Sequence, residues 1–274
     1  MSHVASARSV AVERANPGVV VQARNVSHAF DLGAEPQSVI QNASLTVAAR
    51  EFVSIVGPSG CGKTTFLNLV AGLETLQDGE LTVFGHAPRA GQPGVSYAFA
   101  RDALLPWRTA EENVTLPMEL LGIPEAQRKA RARELLERVG LAQNATSYRS
   151  QLSQGMRQRV ALARAVASHP SLLLMDEPFA ALDAQTRITM QQELLRMLPH
   201  EDVTVLFITH DLGEAITLSD RVVLMSRRPA SIRNVFTIDL PRPRDPMELQ
   251  SDDRYHRLFE SIWTELAHEV PGRR

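Results

Sequence analysis

The stretch Gly57, Pro58, Ser59, Gly60, Cys61, Gly62, Lys63, Thr64, Thr65 constrains the fold more than any other part of the chain. It fits the pattern G-x-x-x-x-G-K-[ST], and its surroundings fit as well. Phe52-Val-Ser-Ile-Val56 before it is a short apolar, β-branched run that predicts a buried strand, and Phe66-Leu-Asn-Leu-Val-Ala71 after it predicts a helix stopped by Gly72. A strand, a glycine-rich turn and a helix N-terminus gather backbone N–H groups toward one point, a ready site for an anion. Glycines let the main chain close around phosphate oxygens without Cβ clashes. Lys63 is then placed to reach terminal phosphates and the Thr64 hydroxyl to ligate Mg²⁺. The expected ligand is a nucleotide phosphate.

The 274 residues can bury one large core, or one core with a subdomain. A net charge of -2 gives no overall basic field for nucleic acid. The single cysteine, Cys61, excludes an internal disulfide framework, and its place in the phosphate loop at a helix N-terminus predicts a reactive thiol of lowered pKa. No apolar run has the length needed to span a bilayer, and Met1-Ser-His-Val-Ala-Ser-Ala-Arg8 has no signal-like apolar core. The expectation is a soluble cytoplasmic protein that would serve a membrane only through partners.

Along the chain, residues 1–17 are small, polar and aperiodic and read as a disordered tail. Val19 to Phe30 and Ser44 to Val56 are β-rich, Gln77-Asp-Gly-Glu80 reads as a turn, and Leu81–Gly85 and Val95–Phe99 read as strands. From Trp107 to about Ala167 the pattern is helical: Pro124-Glu125 opens a helix, Leu135, Leu136 and Val139 mark its apolar face, and Gly140 stands where it ends. Strands return at Leu172–Met175, Val203–Thr209 and Val222–Met225. Asp239–Pro246 is a proline-rich linker. After it, Tyr255, Leu258, Phe259, Ile262, Leu266 and Val270 fall at helical spacing behind a Ser251-Asp252-Asp253 cap, predicting a closing helix that packs back on the core.

Ser171-Leu-Leu-Leu-Met-Asp176-Glu177-Pro178 is an apolar strand ending in two acids. Asp176 is placed to hold Mg²⁺ beside the phosphate loop, and Glu177 to orient or deprotonate a water. Leu152-Ser-Gln-Gly-Met-Arg-Gln-Arg159 sets Ser153 and Gly155 before a second helix, a second N-terminus able to hold an anion. One nucleotide can use both termini only if two chains face each other.

With these motifs in order, the sequence from about Val19 to Leu240 resembles the nucleotide-binding subunits of ABC transporters. The resemblance implies an α/β P-loop NTPase core with a mixed sheet, an antiparallel β subdomain and an inserted α-helical subdomain. It divides the chain into an ATP-binding domain over 18–240, with the helical insertion at about 101–167, and the linker and closing helix over 241–274. It also implies a head-to-tail homodimer with each ATP between Gly57–Thr65 of one subunit and Ser153–Gly155 of the other. Asp183, in Ala181-Leu-Asp183, matches the loop that crosses the dimer interface. His210 matches the switch histidine at the γ-phosphate, and Phe30 the aromatic that stacks on adenine. Lys63, Glu177 and His210 are then the catalytic candidates, and Thr64 and Asp176 the Mg²⁺ candidates.

Leu104-Leu-Pro-Trp107, with Arg228-Pro229 and Ile232, looks most like the nitrate/sulfonate/taurine importer branch. That implies a transmembrane permease and an extracytoplasmic solute-binding protein as partners, no nucleic acid, and a peripheral position on the cytoplasmic face of the membrane. Three departures stand out: Arg50 where the family has glycine, Gln154 where glycine is commoner, and Ala100 where it has a glutamine touching Mg²⁺. A nucleotide-dependent dimerisation module with weak hydrolysis is therefore the alternative. A DNA-repair relative would need a long coiled-coil arm between Thr65 and Ser153, and no sustained heptads occur there.

Overall fold

The computed structural model describes residues 18–31, 33 and 36–269. The predicted tail over residues 1–17 and the apolar position Val270 lie outside the described residues. Two sheets organise the rest. Strands β1 (Val19–Asp31), β2 (Pro36–Ala48) and β4 (Asp78–Val83) form an antiparallel sheet ordered β2-β1-β4. Strands β3 (Phe52–Val56), β5 (Val95–Ala98), β6 (Leu172–Asp176), β7 (Thr204–Ile208), β8 (Arg221–Met225) and β9 (Ile232–Thr237) form the second, ordered β5-β6-β7-β3-β8-β9. Its first five strands run parallel and β9 runs antiparallel to β8, so the sheet is mixed.

Central strands of a parallel sheet are covered on both faces and therefore read as continuous apolar runs. Strand β3 follows that rule: all five residues are buried, and its one polar side chain, Ser54, hydrogen-bonds the Ser219 hydroxyl. The helix α1 (Lys63–Val70) leaves the end of β3 and packs its Phe66, Leu67, Leu69 and Val70 into a cluster shared by both sheets.

The helical subdomain comprises α2 (Ala110–Leu120), α3 (Glu125–Arg138) and α4 (Gln154–Val166). Helix α2 opens with a capping box, in which Glu112 N–H donates to Thr109 Oγ1 at 3.2 Å and Thr109 N–H donates to Glu112 Oε2 at 2.8 Å. Leu135 and Leu136 of α3 are fully buried with Val114, Met118 and Val160, in a cluster that continues to Leu173 and Met175 on the sheet. Insertion and core thus share one apolar interior. Helices α5 (Ala184–Met197) and α6 (Leu212–Leu218) follow β6 and β7.

The β-rich run from Ser44 to Val56 is two strands, the expected buried strand Phe52–Val56 being set off by a turn in which Arg50 adopts φ 64. That conformation suits glycine; the arginine is held there by its N–H on Thr204 Oγ1 at 2.9 Å and its guanidinium on Asp202. Gln77–Glu80 is not a free turn, because Asp78 to Glu80 already pair with Ser27 to Arg24. Gly79 has φ 90, and a Cβ there would stand 2.5 Å from Asn25 O, so glycine marks a close strand approach here. Strand β9, absent from the sequence reading, pairs with β8 at the sheet edge, its residues alternating between half-buried and exposed.

The segment 239–246 is fastened to the core. Arg244 is buried, and its guanidinium donates to the carbonyls of Ile216, Thr217, Ser219, Ile238 and Leu240. Burial, together with the nearby Arg242 charge, pulls its pKa down to about 10. Helix α7 (Asp253–Glu269) then lies against α6, with Ile262 and Leu266 buried among Val56, Ile216, Val222 and Leu224.

Candidate functional site

The phosphate loop runs from the buried end of β3 to Gly62, the N-cap of α1, at φ 127. A Cβ on Gly62 would meet Val39 Cγ1 at 2.9 Å, so neither the dihedral nor the space admits a side chain. Lys63 is buried and folds back over the loop, its Nζ donating to Gly57 O at 2.9 Å and Pro58 O at 3.1 Å. Phosphate oxygens are charged acceptors and bind an ammonium more strongly than these carbonyls do. Thr64 Oγ1 donates to Asp176 Oδ1 at 3.0 Å. Strand β7 separates β6 from β3, yet Asp176 at the end of β6 still reaches the first turn of α1.

Burial pushes the Asp176 carboxyl up, the Thr64 hydrogen bond pulls it down and the neighbouring Glu177 charge raises it further; the net shift is upward. The hydroxyl of Tyr97, on the adjacent strand β5, donates to Asn68 Oδ1 at 3.1 Å. Burial and the charge of Asp176 both raise the Tyr97 pKa. The sequence reading missed Tyr97 and Asn68. The one signal for Tyr97 is its hydroxyl in the otherwise mostly apolar run Val95–Phe99.

Glu177 follows Asp176 with φ 45, an uncommon conformation for a residue with a side chain. Its N–H donates to Ile208 O at 3.0 Å, and its Oε2 lies 3.0 Å from Nδ1 of His210, just past the end of β7. A carboxylate with no proton can only accept, and toward it Nδ1 is the nitrogen placed to donate. Behind His210 a polar network packs α5 and α6 together. Thr209 Oγ1 donates to Glu214 Oε2 at 2.6 Å, and Asp211 caps α6 by accepting from Glu214 N–H at 3.2 Å. Arg187 donates to Asp211 Oδ2 and to Leu182 O, each at 3.2 Å. Burial raises the Glu214 pKa to about 7, with the Asp211 charge adding to it and Thr209, Arg187 and His210 opposing.

Ser153 is the N-cap of α4 and accepts from Met156 N–H at 3.3 Å. Gln154, the departure in this motif, donates through Nε2 to Ala181 O at 2.6 Å. A Cβ on Gly155 would stand 2.9 Å from Thr186 Cγ2. Asp183 caps α5, accepting from Thr186 N–H at 3.0 Å and from the Thr186 hydroxyl at 2.7 Å. These bonds, the backbone one foremost, hold its carboxyl below the usual range. Ser153, Gly155 and Asp183 therefore sit together, and among the described residues no hydrogen bond joins them to the phosphate loop. Phe30 is half-buried near the end of β1, edge-on to His28 with ring centroids 4.8 Å apart.

Two expectations about side chains need revision or detail. Cys61, at a helix N-terminus beside Lys63, reads in sequence as a thiol of lowered pKa. It is only 2% exposed, and its pKa is raised, because burial outweighs the charges of Lys63 and Arg228. Ala100 opens a loop held from α4 and its approach. Arg164 donates to Ala103 O and Asp102 O, both at 2.8 Å, and Arg149 Nε donates to Asp102 Oδ1 at 2.9 Å. Beyond that loop Leu104 is buried, whereas Trp107 is 71% exposed and Tyr148, beside its bridge partner Thr109, is 46% exposed.

Residues 40–180 match the family described as ABC transporter. An uncharacterized ABC transporter ATP-binding protein of Methanocaldococcus jannaschii is 42% identical over 92% of this chain and 94% of its own length. The chain belongs to the ABC transporter ATP-binding family. The bicarbonate transport ATP-binding protein CmpD of Synechocystis sp. is 40% identical over 89% of each chain. Among solved structures, the ATP-binding cassette MJ0796, in a dimeric post-hydrolysis state bound to ADP and Pi, superposes with a TM-score of 0.70 at 30% identity. It covers 81% of this chain and all of that one. The chain is thus an ATP-binding, ATP-hydrolysing subunit of a transporter, and the cassette it superposes on is dimeric. Among the described residues no helix is long and apolar enough to cross a membrane.

Proposed function

We propose that this subunit powers the import of a small anion through a separate permease, and that its ATP sites are built across a homodimer. One observation carries the reading. The chain presents two anion-ready helix N-termini, at Gly62 and Ser153, and the second packs with Asp183 away from the first's hydrogen-bonding groups. In this reading Gly57–Thr65 of one protomer cradle the phosphates, Ser153 and Gly155 of the other close over them, and Phe30 stacks on the base.

Oxygen donors fit Mg²⁺, and Thr64 Oγ1 and Asp176 Oδ1 already lie 3.0 Å apart. Mg²⁺ bound there with ATP would neutralise charge on the phosphates. Lys63 exchanges its loop carbonyls for phosphate oxygens. Glu177 accepts a proton from, or orients, the attacking water, and His210 holds the Glu177 carboxylate in place through Nδ1. Trp107 and Tyr148 offer an exposed apolar floor for a permease helix, by helix-in-groove docking. That contact would hold the subunit on the cytoplasmic face of the membrane.

The anion class rests on the Leu104–Trp107 and Arg228-Pro229 segments and on the bicarbonate-transport relative; an extracytoplasmic binding protein would deliver the substrate. Uptake of labelled bicarbonate, nitrate and taurine by cells carrying the complete transporter tests the reading. ATP-dependent accumulation of one of them, lost in Lys63→Ala, supports it; efflux, or no transport of any small anion, contradicts it. Ala100 favours a second reading, tight nucleotide-driven dimerisation with slow hydrolysis.

A further inference from the structure

Arg228, in the loop between β8 and β9, has no part in the chemistry above, yet it touches both ends of the nucleotide site. Its Nη2 donates to Gly60 O in the phosphate loop at 2.7 Å, and its Nη1 donates to Gln37 Oε1 at 3.2 Å. Gln37 is the β2 partner of Phe30 across the β1–β2 hairpin. The same loop also binds β2 through its main chain: Ala230 N–H donates to Val39 O and Gln41 N–H to Ala230 O, both at 2.8 Å. Among the described residues no carboxylate pairs with Arg228, whose hydrogen bonds go to Gly60 O and Gln37 Oε1.

We propose that Arg228 is a positioning residue for nucleotide, fixing the hairpin that carries Phe30 in register with the phosphate loop. The inference rests on the reading of Phe30 and Gly57–Thr65 as the base and phosphate ends of one site. A planar guanidinium can serve two acceptors in a fixed fork, whereas a lysine ammonium is a point charge on a flexible stem. A ligand that spans hairpin and loop gains from the fixed distance between them; one that fills only the loop does not.

The test compares dissociation constants for ATP and for inorganic tripolyphosphate in wild type, Arg228→Ala, Arg228→Lys and Gln37→Ala, by calorimetry on the full chain. Arg228→Ala is expected to weaken ATP about five- to twentyfold, as loss of hydrogen bonds from a charged group does. Its tripolyphosphate binding should weaken by a smaller factor, since that ligand loses the Arg228 charge and the Gly60 contact but gains nothing from the fixed hairpin. Arg228→Lys should recover part of the ATP loss, and Gln37→Ala, which keeps the charge and the loop contact, should show a smaller loss with the same selectivity. Unchanged ATP binding in both Arg228→Ala and Gln37→Ala overturns the proposal. So does an equal loss for both ligands, which would make Arg228 a support or a charge for the loop alone. Phe30→Ala separates the underlying reading: unchanged ATP affinity there removes the base-stacking assignment itself.

Discussion

Glu177 Oε2 stands 3.0 Å from His210 Nδ1, although the two residues follow different strands, β6 and β7. The pair ties the expected base to the expected switch. If Glu177 works on the attacking water, Glu177→Gln should bind ATP as wild type does and lose hydrolysis by a factor on the order of a hundred or more. With ATP it should accumulate as a dimer on gel filtration. A monomeric variant with full turnover would contradict the assignment.

Behind His210, the buried Glu214 makes stability depend on pH. Its pKa is raised from 4.5 to about 7 in the folded chain, so the folded state holds the proton more tightly than the unfolded state. This contribution is complete below pH 4.5 and is lost as pH rises through about 7. The lost stabilisation is on the order of 3 kcal/mol. Denaturant titrations of wild type and Glu214→Gln between pH 4.5 and 8 read it: wild type should lose stability relative to the variant as pH rises. A difference independent of pH would show that Glu214 does not titrate in that window.

Cys61 should be slow to react. With the side chain buried and its pKa raised, an alkylating reagent at neutral pH should modify the folded protein far more slowly than the unfolded one. Saturating ATP should slow it further. Mass spectrometry of timed samples follows both rates; equal folded and unfolded rates would refute the burial.

Ala100 should limit turnover and spare affinity. Lys63, Thr64 and Asp176 are in place without it, so Ala100→Gln should raise permease-stimulated hydrolysis by roughly ten- to a hundredfold, about 1–3 kcal/mol in barrier, with KM for ATP nearly constant. ATPase and uptake assays on the assembled transporter decide it. No change in either would mean that coupling runs through other groups, such as Asp102 and the arginines that hold it.

The phosphate loop, the acid pair and both helix caps were legible because their chemistry is local: a few residues fix the backbone and the donors. The pairing that turned Asp78–Glu80 into strand was not, because it depends on Arg24 to Ser27, distant in sequence. The Cys61 environment failed for a related reason. A helix N-terminus is visible in the sequence, but the depth of burial that outweighs it is set by how strands β2 and β8 pack over the loop. Tyr97 and Arg228 act through partners on other elements, and nothing beside them in the chain announces those partners.

The cross-protomer site is the central claim, and purified heterodimers with one tag per protomer test it most directly. Lys63→Ala and Ser153→Ala are placed either in opposite protomers or together in one, beside a wild-type partner. If each site takes its phosphate loop from one chain and Ser153 from the other, the split arrangement keeps one intact site and measurable ATP hydrolysis. The same-chain arrangement then keeps none. Activity in the same-chain heterodimer and its loss in the split one would contradict the account.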